Sequence, residues 1–297
     1  MKKIAERINS GTVLVADGAW GTMLHGEGLA PGDCPELWCI DHRASVLKIA
    51  RSYVEAGADL IKTNSFGASR FKLEVFGLAA RAAELNRAAA SISREAAGPD
   101  RHVIASIGPT GKLLIMGDVS EQEMFDAFAE QAVALEQGGA DACLIETMSA
   151  LDEASIAIRA ARENTRLEIL CTFTFERNDR GEYRTMMGVS PAEMAGAISG
   201  AGADIIGTNC GNGLERMIPI IRELRATAPA KPVIVNANAG APIMRAGKTV
   251  FPDTPAAMAA LIPGVIAAGA SIVGGCCGTT PAHIAAIRAA VGATPAP

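Results

Sequence analysis

The sequence predicts an α/β protein of the (β/α)8, TIM-type barrel class, a single domain over residues 1–297 with a short tail that frays from about residue 292. Three observations point there. A helix-to-strand junction recurs as EAGADLIKTN at residues 55–64, EQGGADACLIET at 136–147, SGAGADIIGTN at 199–209 and AAGASIVGGC at 267–276. In each, a helix stops at Gly, which tolerates the left-handed backbone of a helix C-cap, and a short strand follows. These strands are apolar throughout rather than alternating, the mark of parallel strands covered on both faces. The length of 297 residues also suits one closed barrel, which needs about 250. An open doubly wound sheet is the alternative, but it usually carries a glycine-rich phosphate loop after its first strand. DGAWGT at residues 17–22 lacks that spacing.

Strand one is expected at residues 12–19 (TVLVADGA), and strands two, four, six and eight end the repeated junctions. Strands three, five and seven fall at 102–110 (HVIASIGPT), 168–175 (EILCTFTF) and 232–239 (PVIVNANA). Stretches rich in Ala, Leu, Glu and Arg alternate with them and predict helices at 43–56, 79–97, 120–137, 150–164, 191–200, 214–227, 254–268 and 281–291. Ser190-Pro191 and Thr280-Pro281 are helix starts, a capping hydroxyl followed by Pro at the first helical position. Two loops exceed the rest, at 25–41 after strand one and 178–189 after strand five.

Composition narrows the function classes. Apolar residues make up 49% and charged residues 20%, enough to bury a sizeable core. The formal charge is −5 and no run of Lys and Arg supplies a basic face, so no nucleic-acid partner is expected. Aromatics at 4% argue against base-stacking platforms and carbohydrate grooves. Residues 254–277 carry no charge, yet Pro263, Gly264, Gly269, Gly274 and Gly275 interrupt them. A membrane span needs about 20 continuous apolar residues, so this stretch reads as a buried helix followed by a buried strand. The first ten residues turn polar after one Ile, unlike a signal peptide. An odd count of seven cysteines then reads as reduced thiols, with a soluble, cytoplasmic location.

Barrel chemistry sits at the C-terminal ends of the strands. Asp17, Asn64, Gly108, Glu146, Thr174, Asn209, Cys210, Asn238, Cys276 and Cys277 are expected there, directly after apolar runs. Cys210 alone reads as core packing, but the doublet in GGCCGT at 274–279 does not, since a buried hydrophobe needs no flanking glycines. Adjacent residues of a strand face opposite sides, so Cys276 and Cys277 can share a ligand only where the strand has ended. Gly274, Gly275 and Gly278 provide the backbone freedom for that. With Cys210 they make three thiolates, which leave one position of a tetrahedral zinc open, as in catalytic sites. A vicinal disulfide is the rarer alternative. Cys143 and Cys171 are expected as buried hydrophobes within strands, and Cys34 and Cys39 in a surface or lid loop. The four histidines are expected in satisfied or surface positions.

TNCG at 208–211 together with GGCCGT at 274–279 resembles the zinc-dependent homocysteine S-methyltransferase family, as do DGAWGT at 17–22, TNSFGAS at 63–69 and ETM at 146–148. The resemblance runs nearly end to end and in order. It implies a (β/α)8 barrel, one Zn²⁺ held by Cys210, Cys276 and Cys277, and homocysteine as methyl acceptor. A metal-bound thiol is deprotonated at neutral pH, and three thiolate ligands keep the substrate sulfur electron-rich for attack on a methyl group. Three His ligands would better activate water.

The catalytic set implied is Cys210, Cys276, Cys277 and Glu146. Glu146 is the expected contact of the α-ammonium, with Asp17 as partner, although a strand-end carboxylate also caps helices. Backbone N–H groups around Gly18, Ala19 and Thr22 suit the α-carboxylate, and Asn64 and Asn209 complete the substrate-facing set. Asn238 fills or guards the fourth zinc position, or is a polar turn residue. Trp20 is a lid or loop packing.

The methyl donor is less legible. Two Trp and two Tyr are few for the aromatic cage of a trimethylammonium donor, and the extended C-terminal arm expected of betaine enzymes is missing. DGAWGTML, NSFGAS, IGPTG and NANAGAP resemble in particular the homocysteine-binding domain of cobalamin-dependent methionine synthase. The chain is too short for the folate, cobalamin and activation modules, so the expected donor is methylcobalamin or another methyl-corrinoid carried on a separate protein. Betaine, S-methylmethionine and S-adenosylmethionine are alternatives, and a structural zinc barrel without turnover is a rival of another class. An aldolase would need a Schiff-base lysine; Lys62 reads instead as inward packing or a salt bridge. The apolar helical faces leave room for a homodimer.

Overall fold

The computed structural model describes residues 2–245 and 248–294. Among them, eight parallel strands form one sheet: β1 Leu14–Val15, β2 Leu60–Lys62, β3 His102–Ile107, β4 Ala142–Met148, β5 Glu168–Phe173, β6 Ile205–Asn209, β7 Val233–Ala237 and β8 Ile272–Gly275. They pair in sequence order from β2 to β8, and β8 pairs with β1 through Leu14–Ile272 and Val15–Val273. A parallel bridge from Ala16 to Leu60 joins β1 to β2 and closes the ring. The helices that follow the strands are α1 Arg43–Glu55, α2 Ala82–Ala97, α3 Glu121–Gln137, α4 Leu151–Asn164, α5 Pro191–Ala201, α6 Leu214–Thr227, α7 Pro255–Ala267 and α8 Pro281–Ala293. The fold is the (β/α)8 barrel that the repeated junctions predict.

Every residue of the eight strands is buried except Thr147, which is why their sequences do not alternate. The side chains divide into two apolar layers. Leu14, Leu60, Ile104, Leu144, Leu170, Ile205, Ile234 and Ile272 fill the barrel interior, whereas Val15, Ile61, Val103, Ile145, Ile169 and Val273 pack outward against the helices. Cys143 and Cys171 belong to the outer layer, as buried hydrophobes. A short helix, Ile4–Asn9, plugs the N-terminal end of the barrel. Its Ile4 joins the interior cluster, and the Ile4 and Ala5 N–H groups donate to the Glu168 carboxylate at 2.7 and 2.9 Å. The sequence gives no warning of this helix, because six residues with one buried side chain show no periodicity.

Several expectations shift. Strand one is shorter than residues 12–19, and the released residues after Ala16 form the rim loop. Helix α2 starts at Ala82 after a 3₁₀ turn at Ala79–Arg81. The final helix runs to Ala293, past the expected start of fraying, and the rest of that tail, residues 295–297, lies outside the described residues. The charge-free stretch resolves into α7 and β8, and no described helix is long and apolar enough to cross a membrane. Cys34 and Cys39 are not at the surface. The long loop folds back over them through the helix Trp38–Asp41, leaving Cys34 at 5% and Cys39 at 1% exposure. His102 is neither satisfied nor exposed. It begins β3 at the plugged end of the barrel, and among the described residues no group bonds either ring nitrogen. Burial, the larger effect, lowers its pKa and keeps it neutral.

Candidate metal centre and acceptor cavity

Strand β8 ends at Gly275, so Cys276 and Cys277 lie in the turn beyond it. That turn is pinned by Cys276 N–H to Ala237 O (2.7 Å), Thr279 Oγ1 to Cys276 O (2.7 Å) and Ala239 N–H to Cys277 O (3.0 Å). Gly278 has φ +78°, and a Cβ there would collide with Phe251. Gly274 and Gly275 serve differently from expectation: they are extended strand residues, and close packing excludes a Cβ, against Asn236 and Ala16 at Gly274 and against Thr279 at Gly275. Cys210 follows β6 with φ 59°, an unusual conformation for a non-glycine residue, and its N–H donates to Asn236 O at 3.0 Å. These two turns bring together sulfurs from positions 67 residues apart.

Cys210 Sγ lies 3.9 Å from Cys277 Sγ, Cys276 Sγ lies 4.0 Å from Cys277 Sγ, and all three fall within 4.8 Å of one another. Sulfurs on a tetrahedral zinc with bonds of about 2.3 Å stand about 3.8 Å apart, so the set fits that ion almost as it stands. The separations also exclude a vicinal disulfide, whose sulfurs would be about 2 Å apart. The cluster is electronically asymmetric. Hydrogen bonds from Cys276 and then Cys277 pull the Cys210 pKa well below the thiol range against the effect of burial, and the Gly211 N–H and the Asn238 amide add to this. Cys276 and Cys277 are pushed up, first by their hydrogen bonds to Cys210.

Glu146 is aimed by an irregularity in β4. The register with β5 shifts between Ile145 and Met148, and Thr147 adopts φ 64°. Such a backbone costs on the order of 1–3 kcal/mol. Asn209 offsets it: its Oδ1 accepts from Thr147 N–H (2.9 Å) and Thr172 Oγ1 (2.7 Å), and its Nδ2 donates to Thr147 Oγ1 (2.7 Å). Glu146 Oε1 accepts from Ser106 Oγ at 2.5 Å. Burial raises the Glu146 pKa, with Lys62 the largest influence in the other direction.

Asp17 lies beyond β1 and is wholly enclosed. Its Oδ2 accepts from the Lys62 N–H (2.8 Å) and Trp20 Nε1 (2.9 Å), and its Oδ1 is 3.4 Å from Lys62 Nζ. The salt bridge expected of Lys62 is thus present. Burial opposes the Lys62 charge, but Asp17 and then Glu146 outweigh it and raise the pKa. Burial likewise raises the Asp17 pKa, and Lys62 works against that. Tyr53 Oη donates to Ala19 O at 2.7 Å and holds the rim loop from below.

A cavity of about 360 Å³ opens at this end of the barrel. The three cysteines, Glu146, Gly18, Ala19, Thr22 and Asn64 line it, together with Trp20. Asp17, Asn209 and Asn238 do not. Asp17 is committed to Lys62 and Trp20, Asn209 props Thr147, and Asn238 stands against Cys210 with its Oδ1 buried and unpartnered. Ala19 N–H is already given to Thr279 Oγ1 (3.1 Å) and Thr22 Oγ1 accepts from Gly278 N–H (3.3 Å). The cavity also includes Ser106, Glu36 and Phe66, which the sequence reading did not single out. Ser106 sits in strand three just before the IGPTG turn, and Phe66 within TNSFGAS, so position at a strand end was a usable signal for both. Glu36 had none, since only the folding back of the long loop brings it in.

The comparisons agree with this geometry. A family model described as homocysteine S-methyltransferase matches residues 14–291. The chain is 35% identical over 298 residues to methionine synthase of Mycobacterium tuberculosis (strain ATCC 25618 / H37Rv), and 35% identical over 298 residues to that of Mycobacterium leprae (strain TN). Each alignment takes in 94% of this chain but 24% of the relative, so the chain spans about a quarter of those proteins. Among solved structures, the metallated form of the homocysteine methyltransferase MmuM from Escherichia coli superposes with a TM-score of 0.76 at 25% identity, covering 93% of this chain and 96% of that one.

Proposed function

Because this chain belongs to the homocysteine S-methyltransferase family, we propose that it transfers a methyl group to homocysteine, with Cys210, Cys276 and Cys277 holding a Zn²⁺ ion. The observation that carries this reading is the placing of three mutually close sulfurs and a buried carboxylate, Glu146, around one cavity. When bound, zinc supplies a lowered thiol pKa, so that the acceptor enters as a thiolate at neutral pH. Glu146 Oε2 takes the α-ammonium while Ser106 holds Oε1. The α-carboxylate falls to amides of the loop from Gly18 to Thr22 other than Ala19, whose N–H is spent on Thr279. Asn64 and Trp20 close the wall around the substrate. Asn238 steadies the Cys210 sulfur by hydrogen bonding and would stand beside the metal that the three cysteines would hold. The cavity walls hold the thiolate in position to attack the methyl carbon in line as the bond to the donor breaks.

For the donor, the reading is a methyl-corrinoid carried on a separate protein or domain. Its supports are the identity to methionine synthases of which this chain matches 24%, and the apolar rim of the barrel mouth, where Ile115, Met116 and Met186 are 83%, 69% and 90% exposed. A small-molecule donor such as S-methylmethionine is the second reading, favoured by the near-complete overlap in length with the E. coli enzyme. Incubating the zinc-loaded protein and homocysteine with methylcobalamin, a methylated corrinoid protein, betaine, S-methylmethionine or S-adenosylmethionine, and measuring methionine, separates them. Methionine from the corrinoid donors is expected. Turnover with S-methylmethionine alone would establish the second reading, and none with any donor would remove both.

A further inference from the structure

Lys62 places an ammonium against the acceptor cavity with its side chain 6% exposed. A buried cation is tolerated only when its charge is matched. Here Nζ donates to Gly275 O at 3.1 Å and lies 3.4 Å from Asp17 Oδ1. Asp17 is out of a ligand's reach: it does not line the cavity, one oxygen accepts two internal donors, and the other, which makes no hydrogen bond among the described residues, faces Lys62. Glu36 does line it, but one oxygen accepts from Gly67 N–H (2.7 Å) and the other from the Cys34 thiol (3.4 Å). Glu146 differs, since Ser106 engages one oxygen and among the described residues no group donates to the other. The two carboxylates expected to share an ammonium are therefore unequal.

We propose that Lys62 sets the charge selectivity of the acceptor pocket: by committing Asp17 it leaves Glu146 as the single carboxylate open to an incoming thiol, so the pocket takes a zwitterionic amino-acid thiol over a cationic aminothiol. The inference rests on the homocysteine reading and deepens it. With Asp17 and Lys62 neutralising each other, the ligand ammonium meets one counter-charge and the ligand carboxylate meets no surplus of anions. Without Lys62, Asp17 is a buried acid with no internal cation, and an incoming ammonium becomes the counter-charge that lets it ionise beside Glu146. That favours a ligand with positive charge and no carboxylate, and in a buried site such differences are poorly screened.

The test compares binding of homocysteine and 3-mercaptopropylamine, which is homocysteine without its carboxylate, to the zinc-loaded full chain by calorimetry. Wild type is expected to prefer homocysteine. In Lys62→Met the ratio of affinities moves toward the amine by about tenfold or more, and in Asp17→Asn/Lys62→Met it returns to within about threefold of wild type, because selectivity is a difference that repulsion controls. A purely structural role for Lys62 would weaken both ligands together and show no such return. If Lys62→Met does not fold, Asp17→Asn carries the test, with the ratio moving further toward homocysteine. An unchanged ratio in the folded variants overturns the role of Lys62 while leaving the acceptor reading standing. Failure of wild type to bind homocysteine at all overturns both.

Discussion

Cys276 and Cys277 are neighbours in sequence, and their sulfurs meet Cys210 only because the strand stops one residue before them. Replacing any one by Ala leaves two thiols, too few for a stable structural or catalytic zinc site. Metal analysis of purified Cys276→Ala is therefore expected to show loss of the roughly one zinc per chain proposed for wild type; full occupancy would sink the metal assignment. Glu146→Ala addresses the other end of the substrate. Removing a charged hydrogen-bond acceptor costs about 1.5–3 kcal/mol, so calorimetry should show homocysteine binding weakened at least tenfold with zinc content unchanged. Equal affinity in the variant would place the ammonium elsewhere. The sulfur set was legible because a cysteine doublet framed by glycines has no role in a plain apolar core. The commitment of Asp17 to Lys62 was not, since it depends on which side chain of a neighbouring strand points inward at the same level. Sequence spacing offered a salt bridge for Lys62 but no way to name its partner.

At the scale of the element, β4 shows how a strand gives up regularity to present one residue. Thr147 keeps its positive φ through the hydrogen bonds of Asn209, so Asn209→Ala should let the backbone relax and turn Glu146 away from the cavity. The expected result is a raised KM for homocysteine, retained zinc and a stability loss of about 1–3 kcal/mol, read from steady-state kinetics and urea unfolding; an unaltered KM would show that Glu146 is aimed by other means. The alternation of strands and helices was readable because burial on both faces removes polar residues from strands, and capping residues such as Ser190 punctuate the helices. What was lost lies outside that logic. The hairpin Glu176–Arg177 with Tyr183–Arg184 and the hairpin Ile243–Arg245 with Lys248–Val250 rise from the rim, and strands of two or three residues are too short for any period. The irregularity in β4 was equally hidden, as ETM reads like any strand ending.

Across the whole molecule the two ends of the barrel divide the work. The mouth holds the sulfurs, the cavity and the exposed apolar side chains, while the opposite end is sealed by the N-terminal helix on Glu168. Burial, its largest influence, raises the Glu168 pKa above the ordinary 4.5, against the Ala5 and Ile4 N–H groups that lower it. The native state then binds this proton more tightly than the unfolded chain. Its contribution to stability is complete below the ordinary value and drains away as pH rises through the raised one. Wild type should therefore gain stability on acidification across that window and Glu168→Gln should not; urea melts at stepped pH would reveal parallel slopes if the idea is wrong. The seam of the ring has a consequence of its own. Since β1 can pair with β8 only when both exist, a ribosome must deliver the barrel through residue 275 before the cylinder can shut. Two of the three sulfurs follow directly after that eighth strand, so the trio is complete only once the whole ring has been made, and a nascent chain stalled before residue 276 would have a single one of the three thiols to offer.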